Sequence, residues 1–227
     1  MTQSVRDLER TFARAWALLI RNPVMLVPGI VAGALQTAAS IASQALSDEF
    51  LVVGFLVTGT LAISLVQMAY VTGMAGAAWK HDRTGLRDGW EAFSHRFWPA
   101  AGAAVLLLVI GFCAAALAPT TFGVTLLAYA LFFIYTMAAV VIGERPPIAG
   151  IVESASTALA NVWPTLAVVA LIAVIAAVGG WLGSLAGHVS DVGGALLEGL
   201  ITQIVVAYAS LVIAGEYLKL THAEPEL

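Results

Sequence analysis

Few residues in this chain could do chemistry, and most of them stand alone in apolar surroundings. Two carboxylates, Glu198 and Glu216, fall inside or at the ends of long apolar runs. A buried acid there could carry a proton or hold a cation. Their nearness to the run ends supports a plainer reading, in which each side chain reaches back to water at the interface. Uncharged polar residues recur at similar depth: Gln36, Gln44, Gln67, Tyr70, Tyr135, Thr136, Gln203 and Tyr208. If Gln67, Tyr70, Tyr135, Gln203 and Tyr208 converged, they would bind a polar head group or, with Glu198, line a solute pathway. As bonds between helices they would instead contribute about 0.6 to 2 kcal/mol each.

Other chemistries lack their residues. His81, His95, His188 and His222 are scattered, without the H-E-x-x-H spacing or cysteine partners of a metal site. There is no G-x-S-x-G elbow and no Walker glycine loop, so neither an enzyme nor a cofactor is expected. Cys113, the only cysteine, cannot form an internal disulfide and reads as a small hydrophobe. The net charge of -4 argues against a nucleic-acid partner.

The basic residues are grouped. Arg6, Arg10, Arg14 and Arg21 surround Trp16, while Lys80, Arg83, Arg87 and Arg96 surround Trp90 and Trp98. Such clusters suit the anionic head groups of an inner leaflet, each cation adding roughly 1 kcal/mol. They would also set topology.

The elements that carry these residues are membrane spans. Hydrophobic residues make up 60% of the 227-residue chain and charged residues 11%, with a mean hydropathy of +0.94. A soluble domain carries about 25% charged residues. Val5, Leu8, Phe12, Trp16 and Leu19 recur at helical spacing opposite Arg6, Arg10 and Arg14, which predicts an amphipathic surface helix. Spans are expected at about residues 23–45, 50–79, 98–117, 122–142, 163–185 and 194–218. The uncharged stretch 97–143 must turn once, because 47 helical residues would extend ~70 Å. Ala118-Pro119-Thr120-Thr121 is the break. The first apolar run is read as a retained span, not a signal peptide, since it matches two later ones.

With six spans, all ten Lys and Arg residues fall on one side and the three opposite loops have none. That side is predicted to be cytoplasmic and to hold both termini. A repeat accompanies this pattern. Arg21-Asn22-Pro23, Arg96-Phe97-Trp98-Pro99 and Asn161-Val162-Trp163-Pro164 each close an amphipathic stretch and open a span, at intervals of 76 and 65 residues. Tyr70, Tyr135 and Tyr208 lie 10, 10 and 11 residues before Lys80, Arg145 and Lys219. The expected fold is therefore an all-α integral membrane protein, a single domain over residues 1–227. Its six transmembrane helices form three hairpin repeats, about 4–79, 84–143 and 147–219, each preceded by an amphipathic helix on the cytoplasmic surface. Gly29 and Gly33, with Gly179 and Gly183, form G-x-x-x-G pairs for close helix packing, within the chain or against a second copy or membrane partner.

The run from Ala15 through Trp16 and Arg21 to Asn22-Pro23 resembles the start of six-span bacterial membrane proteins of the YciC-like group. It is similar also to the membrane domain fused ahead of glycerophosphodiester phosphodiesterases. Gly143-Glu144-Arg145-Pro146-Pro147, followed by Ile151, Ser154, Leu159, Asn161, Trp163 and Pro164, extends the resemblance. It implies a multi-pass protein of the bacterial cytoplasmic membrane, without a catalytic motif and associated with lipids or envelope assembly. The expected function is non-enzymatic, binding anionic inner-leaflet lipid or scaffolding partners. The alternative is a small-solute or ion channel or transporter.

Overall fold

The computed structural model describes residues 2–45, 50–187 and 191–221. Within them every regular element is helical: α1 (Thr2–Arg21), a one-turn 3-10 helix (Pro23–Leu26), α2 (Val27–Ala45), α3 (Phe50–His81), α4 (Leu86–Leu117), α5 (Val124–Phe133), α6 (Thr136–Val141), α7 (Pro147–Ala160), α8 (Val162–Gly187) and α9 (Asp191–Leu220). Five helical stretches are long and apolar enough to cross a membrane. A sixth is counted if α1 and the segment after it, bent by 89°, are taken as one broken span. Helices of this length and composition suit a membrane protein. The expected turns at residues 47–49 and 188–190 lie outside the described residues.

The bends fall where the prolines predict them. Asn22 (φ -125°, ψ 61°), Arg96 (φ -116°, ψ 16°) and Asn161 (φ -131°, ψ 51°) all leave helical geometry. Pro23 forces its predecessor out of the helical region. Pro99 and Pro164 stand three residues after the break, in the first turn of the new helix, where a missing N–H costs nothing. In α4 the kink divides a surface segment from a span within one continuous element, so the two helices expected there meet without a loop.

Two boundaries differ from the sequence expectation. The first apolar run begins with a tight 3-10 turn and becomes α-helical only at Val27. The single span expected over 122–142 is broken at Ile134 and Tyr135 into α5 and α6. Ser154 of α7 explains why the break is tolerated: its hydroxyl accepts from the Tyr135 N–H (3.1 Å) and donates to the Phe132 carbonyl (2.8 Å). A side chain thus supplies the bonds that lipid cannot.

α3, α6 and α9 touch one another pairwise and form the centre. Around them α2 packs on α3 and α9, α4 on α3, α5 and α6, and α8 on α9 and α5. α2 and α4 therefore each bridge two inner helices, whereas α8 rests on α9 and on α5. Residues 71–76 and 135–141 are buried throughout, and 211–218 nearly so. Gly73, Ala75, Gly76, Ala138, Ala139, Ala214 and Gly215 keep this end narrow, as small residues do where packing replaces a hydrophobic driving force.

Candidate functional site

The polar residues singled out in the sequence divide among several places. Gln67 and Gln203 meet: the Gln67 amide donates to Gln203 Oε1 at 2.7 Å, both side chains being buried. Gly29 and Gly33 make room for this bond. A Cβ at Gly29 would run into the Gln203 amide, and one at Gly33 would lie 3.3 Å from Gln203 Nε2. The first glycine pair thus serves α2, α3 and α9 of the same chain. Gly179 lets α8 approach Ile201 of α9. The surroundings of Gly183, and the side chains of Glu198 and Arg6, lie outside the described residues.

The tyrosines go elsewhere, each to an amphipathic segment on another helix or to the helix that follows it. Tyr70 donates its hydroxyl to the Leu86 carbonyl at the start of α4. Tyr208 donates to the Phe12 carbonyl of α1 (3.3 Å) and packs edge-on against Trp16, with ring centroids 5.8 Å apart. Tyr135, fully buried, is tied through its backbone to Ser154, and its hydroxyl lies 3.4 Å from that of Thr165 in α8. Close packing accompanies these ties, since a Cβ on Gly89 would strike the Tyr70 ring and Met74.

Near Tyr135 the sequence reading of Glu216 as a water-seeking side chain does not hold. Glu216 is fully buried; Oε1 lies 3.3 Å from Lys219 Nζ, and Oε2 has no protein partner. The Thr136 hydroxyl is buried and unpartnered too. Residue spacing could not reveal this, because it is the packing of other helices, α6 among them, against the end of α9 that buries it.

The basic residues also separate by environment. Arg14 lies 4.6 Å above the Trp79 ring and 3.5 Å from Asp82. Arg96 pairs with Glu144, Arg145 with Glu153, and Arg87 with Glu91 at 2.8 Å. Arg10 is largely exposed and only loosely paired with Asp7. Arg21, Lys80 and Arg83 are exposed and take part in no ion pair among the described residues. At the same end of the molecule Trp16, Trp90, Trp98 and Trp163 are 51%, 59%, 80% and 75% exposed, so their rings face outward from the bundle.

Three residues matter more than their spacing suggested. Asn22 is buried and works as a strap: its amide donates to the Leu18 carbonyl (2.9 Å) and the Asp82 carbonyl (3.3 Å), and Oδ1 accepts from the Thr84 N–H (2.9 Å). Trp79 donates to the Leu211 carbonyl at 2.7 Å and fills the space left by Gly215. Tyr217 donates to Glu153 at 2.7 Å, joining α9 to α7. The Asn-Pro pair and a tryptophan at a span end were the available signals, but neither named a partner.

Among the described residues no three His, Cys, Asp or Glu side chains are grouped to hold a metal ion. Compared with protein-family models, curated proteins and solved structures, the chain matches none.

Proposed function

We propose that this chain is a six-span protein of the cytoplasmic membrane that binds anionic lipid at the inner leaflet, without enzymatic activity, as a lipid-handling or scaffolding component. In this reading α1, the first part of α4, and α7 are cytoplasmic-surface helices of three repeats, and both termini are cytoplasmic. The three equivalent backbone breaks support the repeat, as does the placement of all ten Lys and Arg on one side of six spans. The group resembling YciC-like proteins belongs to the same proposal, on its motif pattern alone.

The observation that carries the lipid reading is the ring of outward-facing tryptophans beside unpaired cations. Trp16, Trp90, Trp98 and Trp163 are exposed at the surface helices and bends, as interfacial anchors are. Arg21, Lys80 and Arg83 are exposed at the same end without an ion pair among the described residues, and Arg10, loosely paired with Asp7, is 82% exposed. The test is native mass spectrometry of the whole protein extracted in mild detergent. The wild type should retain anionic lipid through detergent exchange, and replacing Arg10, Arg21 and Arg83 by Gln should strip much of it. Unchanged lipid content in that variant would overturn the proposal.

One feature favours a solute or ion pathway as a second reading. The break between α5 and α6 lies beside the buried Glu216, and interrupted helices near a buried acid mark many transport sites. Against it, Gln67 and Gln203 satisfy each other and the tyrosines are committed to packing. A flux in liposomes that Gln67→Leu alters would bring this reading forward; no flux would remove it.

A further inference from the structure

The three bends can be compared cation by cation. At the second, Arg96 is neutralised by Glu144, and the neighbouring Arg145 by Glu153. At the end of α9, Lys219 is neutralised by Glu216. At the first, the one acid present, Asp82, is taken by Arg14. Arg21 and Arg83 are left over, with His81 nearby, around an open polar pocket of about 690 Å³ that Asn22 and Thr84 complete. Two cations with no counter-ion among the described residues face a single cavity, whose one lining carboxylate, Asp82, is the one paired with Arg14. That is charge complementarity for an anion.

What lies below this pocket identifies the anion further. A groove of about 440 Å³ runs between α2 and α3, lined by Val27, Val31, Leu35, Ile63, Val66 and Leu86. It begins five residues beyond the polar pocket on one wall, from Asn22 to Val27 across the 3-10 turn, and two residues beyond it on the other, from Thr84 to Leu86. The Asn22 to Thr84 bond holds these walls together at the boundary. The polar groups that reach the groove are already engaged, the Gln67 amide N–H by Gln203 and the Tyr70 hydroxyl by the Leu86 carbonyl. To an occupant the groove is therefore apolar. From Val27 to Leu35 it extends about 12 Å, most of one leaflet of a ~30 Å hydrocarbon core.

We propose that the first bend is a specific phospholipid site, with the anionic head group between Arg21 and Arg83 and one acyl chain in the groove between α2 and α3. This rests on the lipid reading above and goes further by choosing one site and one ligand class. The paired bends serve as built-in comparisons. They leave helical geometry in the same way, but at the second Arg96 is paired with Glu144, and the pocket that Lys80 shares with it is lined also by Asp88, Glu91 and Glu144.

The experiment is native mass spectrometry and lipid titration of the full chain with phosphatidylglycerol, phosphatidylcholine and inorganic phosphate. Wild type is expected to hold one phosphatidylglycerol after the others have exchanged, and phosphatidylcholine should not replace it. Arg21→Gln with Arg83→Gln should weaken that lipid about tenfold or more, since each cation is worth roughly 1 kcal/mol. Arg21→Lys with Arg83→Lys should restore it. Ala62→Phe, which fills the groove from its exposed side, should weaken it with both arginines intact. Arg87→Gln and Arg145→Gln should leave it in place. Equal loss in all variants would overturn this site while leaving general lipid binding standing. No retained anionic lipid in the wild type would overturn both. Displacement by inorganic phosphate, or insensitivity to Ala62→Phe, would show that no acyl chain is held and would equally overturn the two-part site.

Discussion

The loops after α3 and α6 turn the chain back with the same device, a left-handed acidic residue, yet they are fastened differently. Asp82 (φ 56°) and Glu144 (φ 57°) occupy a region that costs an L-residue roughly 1–2 kcal/mol. In the first loop the backbone is held by uncharged, part-buried bonds from the buried Asn22 beside the single Arg14 to Asp82 pair, and Trp79 anchors the end of α3 to α9. In the second, exposed ion pairs do the fastening: Arg96 to Glu144 and Arg145 to Glu153. The difference matters because a loop fastened by buried bonds can leave its surface cations unpaired. Where ion pairs do the fastening, the cations are consumed.

The largest effect that would sharpen this comparison is Trp79→Ala. It removes the packing against Gly215, the bond to Leu211 and the surface on which Arg14 rests, and should cost about 3–5 kcal/mol in unfolding from detergent micelles. A loss below 1 kcal/mol would mean that the end of α3 is not anchored there.

Next comes Asn22→Ala, expected to cost about 1–3 kcal/mol because it removes the acceptor of the Thr84 N–H and a donor to the Asp82 carbonyl, the Leu18 carbonyl keeping the bond from the backbone N–H of residue 22. Hydrogen exchange at residues 82–85 should rise in that variant. Asn161→Ala removes only a bond to the Thr157 carbonyl and should cost less. Equal costs would erase the distinction between the two bends.

The smallest effect should come from Arg145→Gln, below about 1 kcal/mol and shrinking with salt, because its ion pair is largely solvated. A loss as large as that of Asn22→Ala would show that ion pairs hold the second loop as firmly as buried bonds hold the first.

Sequence alone determined the local features of this protein. The long uncharged runs require helices, since only a helix satisfies its own backbone in lipid. Prolines 23, 99 and 164 placed the bends within three residues, because a proline acts on its own turn of backbone. Tertiary structure alone decided which side chains meet. Gln67 and Gln203 are 136 residues apart and become partners only because α3 and α9 cross beside Gly29. The break at Tyr135 was hidden because Ser154, on another helix, makes it tolerable. The burial of Glu216 was hidden for a similar reason, since position along α9 does not say which neighbours shut out water. Backbone geometry follows from nearby residues, whereas pairing and burial depend on how separate helices close around a common centre.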